Sequence, residues 1–174
     1  MDDSPAITLL RAAIAVPLFD ARGLPALGER ILAGGFDGPA VLRLVLTGME
    51  VTDPRDVRLA AADVADELGL APMSDDEVGV VVLAVFSILS LINAMPDRTI
   101  TALADTFNIA TGHRASGAIT ELGYMDSWWD ASSSPTAIEE LEFRVAAIVG
   151  MAPTLGLEDL GAEVLEGLIP LRRE

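Results

Sequence analysis

The sequence predicts an all-α fold, a single compact helical domain over residues 1–174 with about seven to nine helices around a central buried hydrophobic helix, Ser74–Pro96. Three observations predict it. Capping residues stand directly before proline at Ser4-Pro5, Asp53-Pro54 and Ser134-Pro135, the arrangement that starts a helix. The stretch SDDEVGVVVLAVFSILSLINAMP carries no ionisable side chain between Glu77 and Asp97, so it must be shielded from water. No segment shows the two-residue alternation of a half-buried strand.

The first helix is expected from Pro5 to Phe19, with Pro17 as a possible kink, and a short second one from Pro25 to Ala33, closed by Gly34-Gly35. Pro39 to Met49 reads as a third, apolar nearly all round apart from Arg43. The fourth, Pro54 to Leu68, is amphipathic: Val57, Ala61, Val64 and Leu68 form its inner stripe, and Arg55, Arg58, Asp63 and Asp66 face out. Gly69 stops it.

The central stretch is long enough to span a bilayer, about 27 Å from Val78 to Met95. Its lead-in argues for a buried helix instead. Ser74 and Glu77 form a capping box, Asp75 and Asp76 put negative charge at the positive end of the helix dipole, and no basic cluster flanks either end. Ser87, Ser90 and Asn93 run along one edge as hydrogen-bonding groups, and Gly79 permits a close helix crossing. The β-branched run Val80, Val81, Val82 and Val85 favours a strand locally, but the length and the cap decide for helix. Beyond Pro96, a helix from Arg98 to Asn108 turns Ile100, Leu103 and Phe107 inward. Two more follow, one from Pro135 to Met151 with the stripe Ile138, Leu141, Val145 and Ile148, the other with Leu157, Leu160, Val164 and Leu168 before Pro170.

Composition bounds the function. The 174 residues include 27 acids and 11 bases, all of them arginine, for a formal charge of −16, which repels nucleic acid and anionic membrane. The absence of cysteine excludes disulfides, thiolate catalysis and thiolate metal sites. The start MDDSPAITLL is acidic where a secretory leader is basic, so a cytoplasmic location is expected.

Chemistry-bearing residues gather in NIATGHRASGAITELGYMDSWWDASSSP. It holds the only histidine, His113, the only tyrosine, Tyr124, and both tryptophans, Trp128 and Trp129, with Glu121, Asp126 and Asp130. As a catalytic site it would use His113 as general base and Arg114 as anion clamp, oriented by Glu121 or Asp126. No nucleophile elbow accompanies them. Metal-ligand spacing is missing, so neither metal nor cofactor is expected. Adjacent tryptophans offer a different use: if one packs inward, the other meets solvent beside carboxylates, an anchor for a basic partner.

Within TITALADTFNIATGHRASGAITELGYM, Leu103-Ala104, Asn108-Ile109 and a second segment through Ile119 and Leu122 into Gly123-Tyr124 resemble a helix-turn-helix of the winged type. The resemblance implies DNA binding. The chain departs from it at Gly112 and Gly117, which weaken the recognition helix, in offering only Arg114 as a base there, and in lacking a wing hairpin after Trp128-Trp129. No nucleic-acid partner is therefore expected.

The expected function is that of a non-enzymatic helical interaction module, of accessory, adaptor, regulatory or immunity type, that binds a protein of basic character through Tyr124, Trp128, Trp129, Asp130 and Asn93. The alternative is an apolar-ligand binder or small helical enzyme with its site between His113 and Asp130. A homo-oligomer stays open, and no membrane partner is expected.

Overall fold

The computed structural model describes residues 4–50, 52–92 and 94–169, and these contain nine α-helices, two 3₁₀ turns and no strand. Their contacts divide the chain into two units, one of residues 1–73 with 156–174, the other of residues 74–155. No helix among the described residues is long and apolar enough to cross a membrane.

The first unit begins with α1 (Pro5–Ala15), α2 (Leu24–Ala33), α3 (Pro39–Thr47) and α4 (Pro54–Glu67). Ser4 caps α1 by accepting from the Ile7 N–H, and Asp53 caps α4 by accepting from Arg55 N–H at 2.7 Å. Proline follows each cap at the first helical position, where its missing N–H costs nothing. The first helix ends before Pro17, short of Phe19, because proline disfavours helical backbone in the residue before it. α3 is less enclosed than its apolar sequence implies: Leu42 and Leu46 are exposed, while Ala40, Val41 and Leu44 are buried.

Two side chains in this unit do work that their exposed positions in the sequence pattern did not indicate. Glu67, at the end of α4, accepts a 2.9 Å hydrogen bond from the Ala40 N–H and so caps α3, whose own N-cap, Gly38, has no side chain to offer. A Cβ on Gly38 would collide with that carboxylate. Arg58, expected to face out, is half-buried and reaches the carbonyls of Ala13 at 3.4 Å and Phe19 at 2.5 Å, a cation set over one carbonyl from the last turn of α1 and one from the loop beyond it.

The C-terminal stripe closes this unit as two pieces, a 3₁₀ turn over Leu157–Leu160 and α9 (Ala162–Leu168), separated by Gly161 at φ +87°. Its inward residues Leu157, Leu160, Leu165 and Leu168 are buried. α9 lies so close to the 3₁₀ turn Ala21–Gly23 that a Cβ on Gly23 would stand 2.6 Å from the Gly167 carbonyl oxygen, and the Asp20 N–H donates to Leu168 O at 2.7 Å. The expected stop at Pro170 lies outside the described residues.

The second unit contains α5 (Asp75–Leu91), α6 (Asp97–Ala110), α7 (Ala118–Ala131) and α8 (Pro135–Gly150). The capping box forms as expected: the Glu77 N–H donates to Ser74 Oγ at 3.3 Å, and the Ser74 N–H donates to Glu77 Oε2 at 2.7 Å. α5 is apolar and buried from Val81 to Leu89, and α6, α7 and α8 all pack on it. It ends at Leu91, earlier than Pro96, and Leu91 and Ile92 are exposed. Gly79 allows α7 to approach: a Cβ there would lie 2.9 Å from Ile119 Cγ2.

The most intimate pair is α6 with α7. Gly123 brings the helices together, since a Cβ on it would stand 3.0 Å from the Ala104 backbone and would collide with Asn108 Nδ2. Asn108 is buried and donates to Thr120 O at 3.3 Å, while its Oδ1 has no hydrogen-bond partner among the described residues. α6 closes in a two-bond turn, with Gly112 N–H donating to Ile109 O and His113 N–H to Asn108 O. Both Gly112 and His113 sit at positive φ there.

Candidate functional site

The segment from Ala118 to Ala131, which carried no capping signal of its own in the sequence, is a regular helix. Its start lacks a side-chain cap, because Gly117 stands at the N-cap position. That absence removed the signal by which α1, α4, α5 and α8 announce themselves. The stretch ahead of it is anchored through acids of α5: the Ser116 N–H and Oγ donate to Asp76 Oδ1 at 2.7 and 3.0 Å, and Arg114 Nε donates to Asp75 Oδ2 at 2.8 Å. The hydrogen bond and the charge of Asp75 hold the Arg114 proton more firmly than usual.

The four candidate catalytic residues are not brought together: three take different partners and the fourth takes none among the described residues. The His113 ring stacks on Tyr124, with centroids 6.5 Å apart and planes 3° apart, and makes no side-chain hydrogen bond among the described residues. Arg114 pairs with Asp75. Asp126 accepts from Thr101 Oγ1 at 3.3 Å. Glu121 is exposed at the edge of a groove. No acid orients the imidazole, as a general base would need. No group of three or more His, Asp or Glu side chains that could hold a metal ion occurs among the described residues.

The aromatic residues divide by face. Neighbouring residues on a helix point about 100° apart, so both indoles cannot share one environment. Trp129 turns toward α6, half-buried, and its Nε1–H donates to Thr101 Oγ1 at 2.8 Å. Trp128 is 44% exposed, and the guanidinium of Arg144 on α8 lies 5.9 Å from its ring centroid. Arg144 Nη2 in turn donates to Glu140 Oε1 at 2.9 Å, one helical turn back. Asp130 accepts from Arg98 Nη2 at 2.5 Å, and Tyr124 is exposed. Asn93 lies outside the described residues.

Two grooves open on the surface of this unit. The larger, about 590 Å³, has a floor of Gly79, Val80 and Leu83 from α5 and Ile119 from α7, and a wall of Ile148, Met151 and Pro153 at the end of α8. Asp76 and Glu121 stand at its edge. The smaller, about 360 Å³, lies between Trp128, Ala131 and Ser132 on α7 and Ala137, Glu140, Leu141 and Arg144 on α8. Neither is lined by His113.

Sequence reasoning missed Val80, Met151, Glu140 and Arg144. Val80 stood within the apolar run read as buried, and Met151 was read only as the end of the helix from Pro135, although they are 45% and 78% exposed. Arg144 did carry a signal. It is the only base between Arg114 and Arg172, and it sits four residues after Glu140. Comparison of the chain with protein-family models, with curated proteins and with solved structures gives no match.

Proposed function

We propose that this chain is a non-enzymatic interaction module that binds a protein partner of basic character through the α7–α8 face of its second unit. The observation that carries the reading is Trp128, an exposed indole whose face already accepts a guanidinium, supplied by the chain's own Arg144. An aromatic face beside Glu140 attracts cations twice over, by the ring quadrupole and by the carboxylate. The overall charge of −16 draws a basic partner toward it and speeds encounter. A cytoplasmic setting is part of the proposal and draws on the absence of cysteine.

A small-molecule site draws support from the volume of the larger groove. Its exposed floor at Val80 and rim at Met151 would leave such a ligand largely in water, so the protein partner is preferred.

The test is titration with an arginine-rich peptide and its glutamate counterpart, followed by tryptophan emission and calorimetry. The basic peptide is expected to bind saturably and to shift the emission, Trp128→Ala to weaken it about fivefold, and the acidic peptide to stay inert. Equal responses to the two peptides, or none to the basic one, would overturn the proposal.

A further inference from the structure

The two grooves lie toward opposite ends of the α7–α8 pair. The larger pairs the start of α7 with the end of α8, and the smaller pairs the end of α7 with the start of α8, so the two helices run antiparallel along a common seam. On α7 the seam is edged by Glu121 and Trp128, seven residues apart and therefore on one flank. On α8 it is edged by Glu140, Arg144, Ile148 and Met151, at spacings of four, four and three, which again mark one flank. The length of α7, 14 residues, makes the seam about 20 Å long.

We infer that this seam receives a single amphipathic basic α-helix of the partner, about 14 residues long. The inference rests on the basic-partner reading above and adds the partner's conformation and register. Three observations carry it. The floor and wall at one end are aliphatic, with Val80, Leu83, Ile148 and Met151 able to take an apolar stripe. A helix satisfies its own backbone, whereas an extended segment needs a strand edge to pair with, and no strand occurs among the described residues. Glu121 at the edge has no hydrogen-bonded or ionic side-chain partner among the described residues, so it is free to meet an Arg or Lys.

At the other end the seat is already filled. Arg144 occupies the Trp128 face, and with 48% of its side chain exposed it has room to move aside while keeping Glu140. A partner arginine takes its place on the ring, and Arg144 acts as an internal stand-in that keeps the indole covered until then. In the absence of Arg144 the basic helix meets one fewer like charge and an open ring.

The probe is a synthetic 14-residue peptide with leucines at the first, fifth, eighth and twelfth positions and arginines on the flanks, used with the full chain. Its controls are a scramble of the same composition and a version with glutamate for every arginine. Saturable binding is expected for the patterned peptide, with the scramble weaker by about tenfold or more. Val80→Asp and Met151→Asp, both at exposed positions and checked for unchanged circular dichroism, are expected to weaken it about tenfold, and Arg144→Ala to tighten it about twofold to fivefold. Equal affinity for scramble and patterned peptide overturns the helical seam and leaves the basic-partner reading standing. Equal affinity for the arginine and glutamate versions overturns the basic-partner reading itself. Weaker binding by Arg144→Ala overturns the stand-in role.

Discussion

Replacing Gly123 by alanine should destabilise the second unit, against the usual sign for that substitution within a helix. Alanine in place of an interior helical glycine gains roughly 1 kcal/mol in propensity. At Gly123 the added methyl meets the Ala104 backbone at 3.0 Å and the amide of Asn108. Forcing α6 and α7 apart costs roughly 1–3 kcal/mol, and taking away the hydrogen bond from the buried Asn108 amide to Thr120 costs about as much again. The net loss is about 3 kcal/mol. Both tryptophans lie in this unit, so urea unfolding followed by tryptophan fluorescence reports on it alone. Gly150→Ala is the internal control: Gly150 ends α8 with nothing within 4 Å of an added Cβ, and its substitution should stabilise by up to about 1 kcal/mol. A Gly123→Ala variant as stable as the parent would refute the argument that Gly123 sets the α6–α7 distance. Adding Asn108→Ala should recover only part of the loss, because the Ala104 backbone still stands in the way.

Two further outcomes are expected. Glu67→Ala and Gly38→Ala should each cost about 1 kcal/mol in thermal unfolding of the first unit, and the double variant no more than the larger single one, since both remove the same cap from α3. Asp97 has its pKa raised, first by burial and then by the charge of Glu142, so the fold prefers its protonated form. Its contribution is therefore most favourable below the ordinary carboxylate range and is lost as pH rises through the raised value. Asp97→Asn should gain stability relative to the parent as pH rises from 3 to 7 in matched urea titrations, and a flat difference would refute the assignment.

How much of this was legible in the sequence depended on whether a segment carried its own punctuation. Ser4-Pro5, Asp53-Pro54, Ser134-Pro135 and the Ser74/Glu77 box each announced a helix that forms within a few residues of the expected start. α7 had none of this. Gly117 at its N-cap, glycine again at Gly123, and an aromatic, serine-rich end left its bounds unmarked, and packing of its Ile119, Leu122 and Met125 into the unit accounts for it. Long-range caps were equally silent. Nothing local in the sequence says that Glu67 serves a helix 27 residues away, or that Arg58 reaches the end of α1. The division of the chain into two units, with residues 156–174 returning to the first, likewise depends on contacts such as Asp20 with Leu168 that no local pattern encodes.

The candidate site was legible in kind more than in membership. A tryptophan doublet on any one-sided helix must split, because the 100° step between neighbours sends one ring in and the other out. Which one goes in is decided by a partner for the indole N–H, and here Thr101, already buried on α6, supplies it to Trp129. Trp128 is left facing solvent by the same choice. The exposed indole offers its face to a cation, and Arg144 is placed to provide one from α8. Its placement is cheap to undo: Trp128 and Arg144 are both substantially exposed, where a cation–π contact contributes about 0.5–1 kcal/mol. A cover held that weakly yields to any partner that brings its own arginine and an apolar stripe to lay along the seam, and that is why the face built around Trp128, rather than the unaccompanied imidazole of His113, is where the chain's recognition chemistry is expected.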